Sequence, residues 1–328
     1  MTGICGPAEI KKSWLTSLTS MTYPPKFLLH RYVVLINFFC AIKHLQVAFE
    51  SSSIGLPHHT LHQKIEAIRA AGFQGIELSF PDLLSYAKLH FGRKDIKEED
   101  YETLSEAAKA VQLLCSKERK DAFDRPQGWI KIMEAAGINM LQLAYDNWCW
   151  STHAPTSKDV WKIVRWADRP NIGLCLDTFQ TAGGRIEIIG LSRDNEERGV
   201  IVTPENLTRR YRASLDQLAQ TVPSDKIYFF QISDAYNVNS RPLSEREEGG
   251  VRPRGRWSHE SRPLPYDGGC LPISEVVTAV LATGFKGWVS VEVFDGKFDE
   301  KYGEDLGKFA QKAAYKRLFK EAEENLSK

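Results

Sequence analysis

From His44 onward the apolar positions follow two alternating rhythms, a helical stripe and then a short unbroken apolar run, and one junction between them recurs. Ala71-Gly72-Phe73-Gln74-Gly75-Ile76-Glu77 closes a helix at Gly72 and enters a strand. Thr283-Gly284-Phe285-Lys286-Gly287-Trp288-Val289 repeats the pattern, and Ala136-Gly137-Ile138-Asn139-Met140 is a weaker third copy. Glycine suits the left-handed turn after a helix, and an unbroken apolar run suits a strand covered on both faces. Before the first copy, Thr60 with Gln63 reads as a capping box, and Leu61, Ile65 and Ile68 form a stripe at helical spacing. Strands alternating with amphipathic helices predict a parallel sheet.

Six strands are legible: Leu45–Phe49, Gln74–Ser79, Ile138–Trp148, Ile172–Asp177, Lys226–Ile232 and Lys286–Val293. A closed barrel of this type has eight. The deficit is local, because helical stretches around Tyr101–Cys115 and Glu118–Ala136 are separated only by Ser116-Lys117, with no strand between. The segment INMLQLAYDNW that follows reads as the front of one strand joined to the back of another. The predicted fold is α/β, a (β/α)8 TIM-type barrel over residues 44–328, irregular or incomplete around strands 3–5. Residues 1–43 read as an extension that packs on the barrel or folds poorly. Its apolar run Tyr32–Ile42 is eleven residues long, against the ~20 that a spanning helix needs. Arg31 and Lys43 flank it, and it lies far from Met1 for a secretory signal, so no membrane role is expected.

With 43 Lys+Arg against 42 Asp+Glu, the chain offers no electrostatic footprint for nucleic acid or an anionic membrane. The six cysteines (5, 40, 115, 149, 175, 270) are scattered, without a CxxC pair or zinc-type spacing. Reduced thiols and a cytoplasmic setting are the expectation, with Cys175 a small core residue inside its apolar strand. The oligomeric state is not legible.

Chemistry gathers where strands end. Asp177, Gln231 and Glu292 close three of the predicted strands, and in a β/α barrel such ends converge on one mouth. Two carboxylates and an amide oxygen meeting there suit a divalent metal such as Mg²⁺ or Mn²⁺. Any one of them alone would be an ordinary polar residue at a strand–loop junction. Glu77 closes a further strand, where it binds substrate hydroxyls or satisfies backbone donors. His153, just past Asp146, is a candidate proton carrier, although a lone histidine at a loop start is more often structural. Gln180 can orient but not transfer a proton. The segment Tyr236–Cys270 has no apolar periodicity and is read as a loop. Within it, Arg252, Arg254, Arg256, His259 and Arg262 suit an acidic substrate, since guanidinium pairs a carboxylate bidentately; the alternative is a solvated basic loop. Trp257 and Tyr266 among these charges predict partial burial.

The runs Tyr145-Asp146-Asn147-Trp148-Cys149-Trp150-Ser151-Thr152-His153 and Asp168-Arg169-Pro170-Asn171-Ile172-Gly173-Leu174-Cys175-Leu176-Asp177-Thr178-Phe179 resemble the xylose isomerase-like barrel superfamily. Phe230-Gln231-Ile232-Ser233-Asp234-Ala235 and Gly287-Trp288-Val289-Ser290-Val291-Glu292-Val293-Phe294 continue the match. Within the superfamily the chain is most similar to the fungal 3-dehydroshikimate dehydratase branch and its sugar phosphate isomerase/epimerase relatives. The resemblance implies a divalent metal (Mg, Mn or Co) held by Asp146, Asp177, Gln231 and Glu292, with Asp146 standing where relatives carry the longer Glu. It also points to His259, a second catalytic candidate beside His153, and to Arg262 as facing substrate; Arg256 of the same basic stretch is a further substrate-binding candidate. The implied activity is a metal-dependent lyase, in which enolate formation and loss of water convert 3-dehydroshikimate to protocatechuate. The alternatives are a sugar isomerase/epimerase using the same enolate chemistry, or an inactive barrel that binds a partner. The expected ligand is a small carboxylate or sugar.

Overall fold

The computed structural model describes residues 35–37, 45–111, 143–183, 204–238 and 251–313, apart from isolated positions within those stretches. All of these belong to one unit, Val33–Lys328. The extension 1–43 lies outside the described residues except for Leu35–Asn37, which forms strand β1. Strand β2 (Gln46–Glu50) follows, with all but its first residue buried.

Helix α1 (Leu61–Ala70) begins as the sequence predicts. The Thr60 hydroxyl accepts from Gln63 N at 3.4 Å, and Gln63 Oε1 accepts from Thr60 N at 2.8 Å. Such a box satisfies amides that a helix N-terminus leaves without partners. Leu61, Ile65 and Ile68 point into the core. The helix stops at Gly72, whose φ of +89° is a conformation that side chains resist. Strand β3 (Gly75–Glu77) then starts, and Gly284 (φ +85°) closes the equivalent helix near the other end of the chain. Ser79, predicted to lie in β3, instead caps α2 (Phe80–His90) by accepting from Asp82 N.

Strand β4 (Leu143–Asp146) is the described part of the long INMLQLAYDNW segment. Residues 138–142, with the predicted helix Glu118–Ala136, lie outside the described residues. Helix α3 (Ser157–Ala167), strand β5 (Ile172–Asp177), the short helix α4 (Thr178–Ala182), helix α5 (Pro204–Thr221) and strand β6 (Ile227–Ile232) continue the alternation.

The stretch expected to be a loop is not uniformly one. Pro253–Glu260 forms helix α6 and Ser261–Arg262 forms strand β7. Periodicity missed this helix because it buries little besides Gly255, Trp257 and Ser258, so it has no apolar stripe. Proline at its first turn is the one local start signal. Helix α7 (Ile273–Ala282), strand β8 (Trp288–Val291), strand β9 (Phe294–Asp295) and helices α8 (Phe298–Tyr302) and α9 (Leu306–Lys312) complete the described chain.

The main sheet runs β1–β3–β2–β8–β6–β5–β4, and β7 pairs with β9 in a separate two-stranded ribbon. Six of the seven strands run parallel to one another, and β1 lies antiparallel on β3. Strand β8 sits between β2 and β6, so the last parallel strand returns to the first, as in a β/α barrel. No pairing among the described residues joins β3 to β4. The strand deficit expected from the sequence falls between these two strands, where residues 112–142 lie outside the described residues. The core is continuous and aromatic in part: Phe49 of β2 packs edge-on against Phe73 (5.1 Å) and Phe309 of α9 (5.8 Å).

Candidate active site

The carboxyl ends of β3, β5, β6 and β8 bring four buried polar side chains together: Glu77, Asp177, Gln231 and, one residue past β8, Glu292. Register does most of the alignment, since Asp177 stands opposite Gln231 and Gln231 opposite Ser290. The Thr178 hydroxyl accepts from Ser233 N (2.7 Å) and donates to Ser233 O (2.6 Å), which ties the tip of β5 to that of β6.

Asp177 is both strand end and helix cap. Its Oδ1 accepts from Phe179 N at 2.8 Å and from the Ser233 hydroxyl, while Oδ2 accepts from Arg262 Nη2 at 2.8 Å. The same Nη2 donates to Glu292 Oε2 at 2.5 Å. Gln231 Nε2 reaches Glu77 Oε1 at 2.9 Å and Oε2 at 3.2 Å, and Glu292 Oε1 at 3.2 Å. The Cys175 thiol lies 3.4 Å from Gln231 Oε1, so this cysteine, expected only to fill the core, also touches the site. Arg262 is fully buried, with Cζ 4.6 Å from the centre of the Phe179 ring and 5.3 Å from that of Phe294.

Burial dominates the electrostatics of Asp177. Loss of water pushes its carboxyl up to about 6, Arg262 pulls it down and Glu292 adds to the rise. Three carboxylates against one guanidinium leave two negative charges in excess when all are ionised. A low-dielectric site does not tolerate that without a cation or a bound proton. The set therefore suits a divalent ion in charge and in its hard oxygen donors. In spacing it does not yet form a cage. Among the described residues no three His, Cys, Asp or Glu side chains are gathered closely enough to hold a metal; Gln231 Nε2 and Arg262 Nη2 lie between the acids.

The remaining metal and catalytic candidates are less buried than these four. Asp146 is half-buried at the end of β4 and in register with Cys175, two residues short of Asp177. His153 and His259 are exposed, and His259 stands edge-on to Trp150 at 6.2 Å. Arg252, just before α6, and Arg254 and Arg256 within it bond mostly to backbone. Arg252 donates to Trp150 O (2.9 Å) and Thr152 Oγ1 (2.7 Å), Arg254 to Cys149 O (3.4 Å) and Arg256 to Val251 O (3.0 Å). Gln180 Oε1 accepts from Cys149 N at 3.1 Å. Trp257 is fully buried, a stronger outcome than the partial burial expected. Ser233 was missed; its only sequence signal is its place two residues after Gln231 on a strand whose end carries chemistry.

Residues 117–313 match the model of the xylose isomerase-like TIM barrel family, and the chain belongs to that family. Its relatives include the 3-dehydroshikimate dehydratase of Neurospora crassa, 25% identical over 76% of this chain and 86% of the relative. The 3-dehydroshikimate dehydratase of Pseudomonas aeruginosa is 26% identical over 73% of this chain, which spans only 37% of that longer protein. Among solved structures, a likeness extends to the IOLI protein with a bound zinc atom, 17% identical over 84% of this chain and 98% of that one, with a TM-score of 0.46. No helix among the described residues is long and apolar enough to cross a membrane.

Proposed function

We propose that this chain is a metal-dependent lyase that removes water from 3-dehydroshikimate, or from a close cyclic analogue, to give an aromatic acid such as protocatechuate. One observation carries the reading: acidic and amide side chains from the ends of four parallel strands meet, buried, with Gln231 linking Glu77 to Glu292 and Arg262 linking Glu292 to Asp177. Dehydratases among the relatives supply the substrate.

Asp177, Gln231 and Glu292 would hold a divalent ion (Mg, Mn or Co), with Asp146 at the margin of the set. Such an ion, when bound, supplies Lewis-acid polarisation of a substrate carbonyl. The remaining work belongs to side chains of the chain itself. Glu77 is the buried acid placed to accept the proton from the carbon next to that carbonyl, with its carboxylate oriented by Gln231 Nε2 at 2.9 Å. The β-hydroxyl leaves with the proton so taken, as water, and transfer of a further ring proton to the carbonyl oxygen gives the aromatic ring. Arg262 is the cation suited to the substrate carboxylate. Ser233 and the Phe179 amide keep Asp177 aligned. His153 and His259, being exposed, serve the mouth rather than the buried reaction centre.

A sugar isomerase or epimerase is the second reading. It is favoured by Glu77 and Glu292 both bonding Gln231 Nε2, an arrangement with two acids available for proton exchange. The deciding assay supplies Mg²⁺, Mn²⁺ or Co²⁺ with 3-dehydroshikimate and follows ultraviolet absorption of the aromatic product. Turnover that chelation abolishes, and that Glu292→Ala removes together with metal binding, is the expected result. Metal binding without turnover would shift the reading to the isomerase, and no metal binding would favour a barrel that only binds a partner.

A further inference from the structure

Arg262 bridges Asp177 and Glu292, two of the residues proposed to hold the ion. One nitrogen, Nη2, donates to Asp177 Oδ2 at 2.8 Å and to Glu292 Oε2 at 2.5 Å. Both acids are proposed ion donors, and an oxygen engaged by a guanidinium at these distances is not open to a metal from the same side. A guanidinium also cannot leave by losing its proton, because it stays charged at any accessible pH. It has to move.

Two features allow that movement. The Arg262 guanidinium lies over the rings of Phe179 and Phe294, so it can shift away from the carboxylates while keeping an aromatic surface against it. Its strand, β7, has two residues and pairs with β9 outside the main sheet. Displacing it breaks no pairing of the strands that carry Glu77, Asp177, Gln231 and Glu292.

We infer that Arg262 is a resident counter-cation. In the metal-free protein it holds Asp177 and Glu292 at their strand ends, and it releases at least one of them when a divalent ion binds. The released guanidinium then faces the mouth with its charge available to an anionic substrate. The inference rests on the metal reading of the site. Its consequence is an exchange: Arg262 keeps the empty site folded and lowers its affinity for the ion.

The test compares wild type with Arg262→Met, which keeps a long side chain against the two rings, and with Arg262→Lys, which keeps the charge. Mn²⁺ affinity is measured from the electron paramagnetic resonance signal of free Mn²⁺, and melting is followed with and without the ion. Arg262→Met should bind Mn²⁺ about tenfold more tightly or better, since a charge-assisted bond no longer competes. Its metal-free melting temperature should fall by several degrees and recover at saturating Mn²⁺. Arg262→Lys should stay close to wild type in affinity. Should Arg262→Met fail to fold, crystals of wild type grown with and without Mn²⁺ decide. Arg262 moved off one carboxylate in the loaded crystal supports the exchange, and Arg262 still bridging both overturns it. Equal Mn²⁺ affinity in wild type and Arg262→Met overturns the inference alone and leaves the metal reading standing. No Mn²⁺ binding by either protein overturns the metal reading, and this inference with it.

Discussion

Two groups of arginine lie close together in sequence and do different work. Arg252, Arg254 and Arg256 ride on or beside α6 and donate to backbone carbonyls of the segment after β4 and of their own turn. Arg262, on β7, is fully buried and bonded to two acids at the strand ends. In the sequence all four belong to one basic stretch. What separates them is Trp257, which is fully buried, bonds Tyr236 O through Nε1 at 3.0 Å and packs on Phe179 at 4.7 Å. That anchor fixes α6, whose arginines bond the segment after β4 and their own turn, ahead of β7, which delivers Arg262 to the two acids. The role of a charge here follows from which side of an anchor it falls on, rather than from the company it keeps in sequence.

The largest expected effect comes from removing the inward charge. In metal-free protein, Arg262→Ala leaves two buried carboxylates without their cation and should cost about 3–5 kcal/mol, read from denaturant melts. A loss under about 1 kcal/mol would mean that Arg262 is not a counter-charge. Trp257→Ala should cost a similar ~3–5 kcal/mol through its cavity. It should also merge the two groups of arginine: Arg262 loses its fixed position and metal affinity changes with it. Should affinity stay at the wild-type value, α6 and β7 are positioned independently and the comparison fails.

Glu77→Gln sharpens the site side of the contrast. It keeps the volume but removes the proton acceptor, so kcat should fall by a factor of about 10²–10⁴ with little change in KM. His153→Ala and His259→Ala should both leave kcat within about threefold of wild type, an effect that steady-state kinetics resolves readily; a hundredfold loss in either would return the proton transfer to the mouth. On the structural side, Arg252→Ala deletes bonds to Trp150 O and Thr152 Oγ1 and should cost about 1 kcal/mol without altering Mn²⁺ affinity. Arg256→Ala should be smallest, within about 0.5 kcal/mol and with KM unchanged. A KM raised tenfold or more would instead place Arg256 against the substrate, as its position in the basic stretch first suggests.

Much of this molecule is written in local patterns. Thr60, Gln63, Gly72 and Gly284 set helix ends through capping and left-handed turns that need no knowledge of the rest of the chain. Asp177, Gln231 and Glu292 stand at or near predicted strand ends because a parallel strand reads as a largely apolar run and a carboxylate or amide marks its exit. The family's parallel order brings those exits to one mouth. The strand deficit expected between β3 and β4 falls mostly on residues outside the described ones, where no pairing of the described strands joins β3 to β4.

Other features belong to tertiary structure alone. Helix α6 carries no stripe for periodicity to detect, and it exists because one tryptophan finds a buried place against Phe179 and the Tyr236 carbonyl. Glu77 joins the cluster through Gln231, far away in sequence, and Ser233 reaches Asp177 across the strand register. The pairing of Arg262 with Asp177 and Glu292 likewise depends on three elements meeting at one point. Local spacing determines where a helix or strand begins and ends, because those energies arise within a few residues. The cost of burying a charge depends on everything around it, so only the assembled fold decided which arginine would go inside.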